Sequence, residues 1–232
     1  MRRRLRVAAC ALLLALPVSG ARAATAADAC EAAGRAAERA NHIPRGLLLA
    51  IGRVESGRYS AGLGRVTPWP WAVDAAGEGA LYPSRRDAAV AARAALAAGV
   101  RNLDLGCFQV DLGAHPDAFA SVRQALTPAD NAAWAAAFLA RLHARLGGWR
   151  VAVAAYHSQT PALGTPYLNA VLASWTDPSA TRAVTSRRDG GGDPTWVVVT
   201  PVAGIRVITP QSLPGAAAGP VVHDGWPAGL AR

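Results

Sequence analysis

Lysine is missing from the sequence altogether, methionine occurs once and phenylalanine three times. All 24 basic side chains are therefore arginine, and in a chain so rich in alanine and glycine this reflects codon composition and carries no functional meaning. Other absences exclude more. No basic cluster is interleaved with aromatics, which removes the usual footprint of a nucleic-acid binder. No His, Cys, Asp or Glu pair stands at metal-ligand spacing, so neither a metal nor a cofactor is expected. Internal repeats are absent, and the one long apolar run lies at the very start.

That start reads as an export signal. "MRRRLRV" is a basic region, "AACALLLALPV" is apolar, and "ARA" ends at Ala23 in the small-x-small pattern of signal cleavage. The run is too brief to cross a bilayer, which needs roughly 20 apolar residues. Residues 1–23 are therefore expected to be removed, placing the mature chain in the periplasm. The leader holds five arginines and no acid, so 24 less 5 leaves 19 arginines against 15 acids, a net charge of +4. Mild positive charge suits an anionic polymer without identifying one.

Cysteine is scarce as well. Cys10 falls in the leader, leaving Cys30 and Cys107 in the mature chain. Two cysteines in an oxidising compartment suggest one disulfide; the alternative is two unrelated buried thiols.

What is abundant is alanine at helical spacing, from about residue 27 to residue 176. One mainly α domain is expected over residues 24–176. A first helix covers "ADACEAAGRAAERA". A second covers "GLLLAIGRVES", with Asn41 as N-cap, Pro44 in its first turn and Gly57 past its end. Ser84 and Asp87 form a capping-box pattern, Thr127-Pro128 opens a long helix, "WRVAVAAYHS" follows, and Thr165-Pro166 opens the last. Between residues 59 and 83, Pro, Gly and alternating aromatics predict a loop insertion with one short β-hairpin. Residues 177–232 change character: a Pro/Gly-rich, weakly structured tail is expected, with two strand-like runs, "WVVVT" and "IRVIT".

Three short stretches place polar residues in apolar settings: "VES" at 54–56, "GCFQ" at 106–109 and "AAYHS" at 154–158. Glu55 lies in the apolar stripe of its helix, four residues after Ile51 and seven after Leu48. Burial penalises the charged form, so its pKa should be raised, which suits a general acid. The structural alternative is pairing with Arg53 or Arg58. Gln109 offers an amide donor and acceptor, and Tyr156 a phenol. His157 has no Ser, Cys or acidic partner in a recognisable pattern. Trp69 and Trp71, in "PWPW", can stack on sugar rings or pack, whereas Trp134 and Trp149 fall within helices and read as core.

Taken together, "IPRGLLLAIGRVESGR", "TPWPWAVDAAGEG", "NLDLGCFQVDLGAHPDAF", "DNAAWAAAFLARL" and "WRVAVAAYHSQTP" resemble the soluble lytic transglycosylase catalytic domain of the goose-lysozyme-like superfamily. The resemblance spans about residues 28–175. It implies a lysozyme-like helical fold, peptidoglycan glycan strands as substrate, and cleavage of the MurNAc–GlcNAc linkage with formation of a 1,6-anhydro end. Glu55 would be the single catalytic acid and base, in contrast with the paired carboxylates of most glycosidases. Ser56 would contact substrate or support Glu55, Gln109 would lie near the acetamido group, and Tyr156 would hydrogen-bond near Glu55. His157 stands where many members have Asn, and Cys107-Phe108 where many have Leu-Met. Joined to Cys30, Cys107 would tether the Gln109 segment to the first helix, a loop closure worth roughly 4 kcal/mol.

Two other readings remain at this stage. A hydrolytic muramidase needs a further carboxylate to position water, from among Asp74, Glu78, Asp104 and Asp111. A non-catalytic peptidoglycan-binding accessory of an envelope-spanning secretion or conjugation apparatus needs none. Under any of these readings the chain is expected to be a monomer, with such an apparatus as a candidate partner.

Overall fold

A computed structural model of the chain describes residues 26–60, 63–176, 196–200 and 204–208. The expected leader and cleavage site, and most of the expected tail, lie outside the described residues. The fold is mainly α with a small antiparallel sheet. α1 (Ala26–Ala40) and α2 (Leu47–Ser56) lead into β1 (Gly57–Ser60), β2 (Arg65–Pro68), β3 (Ala72–Ala75) and β4 (Glu78–Leu81). After α3 (Arg85–Ala97) come β5 (Leu103–Leu105) and β6 (Val110–Asp111). α4 (Val122–Ala125), α5 (Pro128–Leu146), α6 (Trp149–His157) and α7 (Pro161–Thr176) complete the domain. The two strand-like runs of the tail form β7 (Trp196–Thr200) and β8 (Gly204–Ile208), paired antiparallel as a hairpin. Among the described residues no helix is long and apolar enough to cross a membrane.

α2 is the centre of the molecule. Leu47, Leu48, Leu49, Ala50, Ile51 and Val54 are buried on all sides of it, among α1, α7 and the strands. The short "LLLAI" run therefore marks a helix wrapped in protein, and not one with a single buried stripe. Burying Leu48 and Ile51 completely contributes roughly 1.5–3 kcal/mol each. The start of α2 differs from expectation. Asn41 turns back to close α1, its Nδ2 donating to Ala37 O at 3.0 Å. The cap of α2 comes from Glu38 of α1, which accepts from Gly46 N at 2.9 Å and Leu49 N at 3.2 Å. A carboxylate at that end also meets the positive pole of the helix. Pro44 precedes α2, its carbonyl accepting from Leu47 N.

Elsewhere the local signals hold. Ser84 Oγ accepts from Asp87 N at the start of α3, and Pro128 occupies the first turn of α5. α7 begins earlier than expected, at Pro161, and carries Pro166 inside. The missing N–H of Pro166 falls in the second turn, where its partner would be a carbonyl of exposed Ala162.

The expected single hairpin is part of something larger. β1 and β2 form one two-stranded ribbon, and a second sheet runs β4-β3-β5-β6. The β3–β4 turn has Ala76 at φ 57° and Gly77 at φ 88°, the left-handed pair that a tight hairpin requires. Strands β5 and β6 come from sequence read as mere connection, and only tertiary pairing with β3 makes them strands. One core joins α1, α2 and α5–α7, and a second lies between the four-stranded sheet, α3 and α4.

Candidate active site

Every residue of α2 is buried except Glu55. The helix that fills the core therefore has a single residue that is only partly buried, Glu55, one position before its end. Gly57 makes that end possible. A Cβ there would lie 2.1 Å from Arg53 O, so only glycine lets the chain leave α2 and enter β1 at this angle.

The Tyr167 hydroxyl, from α7, donates to Glu55 Oε1 at 2.5 Å. Burial raises the pKa of Glu55, the hydrogen bond from Tyr167 lowers it, and the charge of Asp74 raises it again; the balance is about 7. The group is thus partly protonated at neutral pH, as a general acid should be. Neither Arg53 nor Arg58 pairs with it. Arg53 donates to Ser174 Oγ at 2.9 Å and Ser174 O at 2.7 Å, while Arg58 lies 4.0 Å over the Trp69 ring.

Beside Glu55 lies the turn Gly106–Gln109, between β5 and β6, held by one side chain from each of four helices. Cys30 of α1 forms a disulfide with Cys107. Ser56 of α2 donates to Cys107 O at 2.7 Å. Asn131 of α5 accepts from Phe108 N at 2.9 Å and donates to Leu105 O at 2.8 Å. Tyr156 of α6 donates to Phe108 O at 2.9 Å. Gly106 takes φ 84°, and a Cβ on it would lie 2.6 Å from Asn131 Nδ2, so the clamp closes only over glycine. At the end of the turn Gln109 is held at φ 44°, an uncommon conformation for a residue with a side chain. Its Nε2 donates to Gly106 O at 3.0 Å, leaving Oε1 without a partner among the described residues.

Three carboxylates line up on the neighbouring sheet. Asp74 pairs with Asp104, and Asp104 with Asp111, directly across β3, β5 and β6. Like charges facing each other destabilise a sheet. Burial first, then Asp111, Asp74 and Glu55, raise the pKa of Asp104 to about 8. Asp74 Oδ1 accepts from Gly77 N at 2.7 Å, whereas Asp104 makes no hydrogen bond to the described residues. Glu78 stands opposite Ala75 and is exposed, outside this row.

The sequence candidates thus divide. Tyr156 lies within the electrostatic reach of Glu55 and bonds the turn that carries Gln109. Ser56 as a substrate contact is corrected: its hydroxyl is buried and spent on Cys107 O and on the Trp69 N–H, which it accepts at 3.0 Å. Tyr156 serves the turn, and the phenol on Glu55 is that of Tyr167. His157 lies flat on the Tyr167 ring, with centroids 4.8 Å apart, and desolvation of its own ring lowers its pKa. It makes no hydrogen bond to Glu55. Trp69 donates Nε1 to Tyr82 O at 2.8 Å beneath Arg58, an arrangement that serves packing. Trp71 lines a surface cavity of about 400 Å³ with Arg85 and Pro128, a cavity bordered by neither Glu55, Gln109 nor Tyr156.

Two residues of the site escaped sequence reading. Asn131 sits in an alanine-rich helix start, and Tyr167 in an apolar helix 112 residues from Glu55. The only signal for either was a polar group that burial would oblige to find a partner. No family model, curated protein or solved structure matches the chain, so the functional reading rests on the geometry of this site.

Proposed function

We propose that the protein is an exported peptidoglycan lytic transglycosylase with a lysozyme-like fold. What carries the reading is Glu55: the one residue of an otherwise buried helix that is only partly buried, held by Tyr167 and with its pKa raised to about 7. The protonated carboxyl donates its proton to the glycosidic oxygen as the bond to C1 of MurNAc breaks. The substrate's own acetamido group supports the positive centre. The resulting carboxylate then takes the proton of the C6 hydroxyl, which attacks C1 and closes the 1,6-anhydro ring. Proton and bonds balance without water, and the nucleophile is already attached, a placement equivalent to roughly 10⁵ M or more. The Oε1 of Gln109, without a partner among the described residues, offers an acceptor for a substrate amide N–H. A Cys30–Cys107 disulfide suits the oxidising periplasm.

The aspartate row supports a second reading, hydrolysis, in which a carboxylate across the cleft positions water. Transglycosylation is preferred because Asp104 is held protonated near neutral pH and Asp74 is engaged by its own turn. Digestion of purified sacculi separates the two. Soluble muropeptides with anhydro ends, lighter by one water than reducing ends, are expected, and Glu55→Gln should abolish their release while leaving sacculus binding and fold intact. Reducing ends alone would make it a muramidase. Full activity in Glu55→Gln would remove Glu55 from the chemistry, and binding without turnover in the unaltered protein would leave a binding accessory of an envelope-spanning apparatus.

A further inference from the structure

Charge is divided between the two ends of the helical domain. α1 and α5 pack side by side and both begin at the cavity lined by Ala26, Ala29 and Pro128, so both finish at the opposite end. Asp28 and Asp130 lie in their first turns. At the far end α1 meets the start of α2, where Glu38 accepts from Gly46 N at 2.9 Å. α7 finishes there too, its Trp175 donating Nε1 to Arg45 O at 2.9 Å. α5 turns into α6 through Gly147 and Gly148, with His143 stacked on Trp149 at 3.8 Å between centroids.

Arg39, Arg45, Arg145 and Arg150 are exposed at this end, and among the described residues none of them forms an ion pair. No Asp or Glu occurs in residues 39–54 or 131–176, and the neighbouring Glu38 is buried and engaged by the backbone of α2. Arg39 and Arg145 complement the negative poles at the ends of α1 and α5. Arg45 and Arg150 do the reverse: they stand at the starts of α2 and α6, where a cation is unfavourable, so helix stability does not account for them. The α5–α6 turn also leaves Leu146 and Val151 uncovered, Val151 by 53%. A Cβ on Gly147 would meet nothing within 4 Å, so the turn stands open to solvent. Trp149 and Trp175 are half-buried behind it.

Unpaired arginines beside uncovered aliphatic side chains fit a partner that is anionic at its surface and apolar just beneath. A lipid bilayer is built that way: its phosphates accept from guanidinium groups, its acyl boundary takes Val151 and Leu146, and tryptophan suits the headgroup level. An acidic polymer would meet the arginines and leave the aliphatic groups in water. We infer that the end of the molecule formed by the α5–α6 turn and the start of α2 is a docking surface for an anionic phospholipid membrane. Attachment is peripheral and reversible, since no described helix is long and apolar enough to span. The inference goes beyond the glycan-cleaving reading and does not depend on it, because Glu55 lies at the opposite end of α2.

The test uses the chain from residue 24 to residue 232, sedimented with vesicles of phosphatidylcholine alone or mixed with phosphatidylglycerol. Binding is expected to the mixed vesicles only, and should weaken as salt rises. Arg145→Gln with Arg150→Gln should weaken it by about 10- to 30-fold, at roughly fivefold for each arginine near an anionic surface. Val151→Ser should weaken it by about 2- to 10-fold through lost apolar burial. Arg86→Gln with Arg93→Gln makes the same charge change on exposed residues of α3 and should leave binding nearly unchanged. All the substituted residues are exposed, so the variants should melt with the unaltered chain. Equal loss in the two double variants would reduce the effect to net charge, and no loss in Val151→Ser would make the partner an acidic polymer or protein. Either result overturns membrane docking, as does equal binding to both kinds of vesicle or binding to neither.

Discussion

At Glu55 three opposing influences decide the protonation state, and two of them can be removed singly. The Tyr167 hydroxyl favours the ionised form, so Tyr167→Phe should raise the pKa of Glu55. The Asp74 charge disfavours it, so Asp74→Asn should lower that pKa. A general acid works only while protonated, so muropeptide release should fall as pH rises through about 7 in the unaltered protein. The falling limb should move to higher pH in Tyr167→Phe and to lower pH in Asp74→Asn. A pH profile of kcat/KM measures both. Movement in the same direction for the two variants would contradict the assignment of Glu55 as the acid. Glu55 was legible in the sequence as an acid in an apolar setting, but its partner was not, because nothing in local spacing relates residue 55 to residue 167.

At the level of the element, the sheet strand β5 carries a cost. Asp104 stands between Asp74 and Asp111, and its folded-state pKa of about 8 lies above the ordinary carboxylate value. A raised carboxyl stabilises the fold fully below the unfolded value near 4, and that contribution is lost as pH rises through about 8. Asp104→Asn removes the charge while keeping the shape. Its melting temperature should exceed that of the unaltered protein at pH 8, with the difference shrinking towards pH 4. A variant less stable at pH 8 would mean that the row is held by attraction the structure does not contain. Helices α1, α3, α5 and α6 were readable from periodicity and caps, because those signals act within a few residues. The cap of α2 was not, since Glu38 reaches it across a change of chain direction. Strands β5 and β6 are three and two residues long and exist only through their pairing with β3 and each other.

For the whole molecule, the disulfide joins α1 to the turn that carries Gln109, across 77 residues. Both cysteines are fully buried, so the bond closes the fold from inside. Cys30→Ser with Cys107→Ser should cost about 2–5 kcal/mol in denaturant unfolding, and should lower muropeptide release more than the fraction unfolded accounts for, because Cys107 O also fixes Ser56. Non-reducing peptide mapping should recover Cys30 joined to Cys107, and two free thiols would refute the link.

The sequence by itself determined the helical class, most helix starts, the presence of two pairable cysteines and the acid worth asking about. These depend on interactions within a few residues or on residue type alone. Tertiary structure alone decided that α2 is enclosed on every side with Glu55 as its one opening, that Tyr167 and not Tyr156 holds that acid, and that Asn131 clamps the Gly106–Gln109 turn. It also gathered Asp74, Asp104 and Asp111 into one row. Each of these is a meeting of residues far apart in the chain, fixed by how helices and strands pack and not by any local pattern.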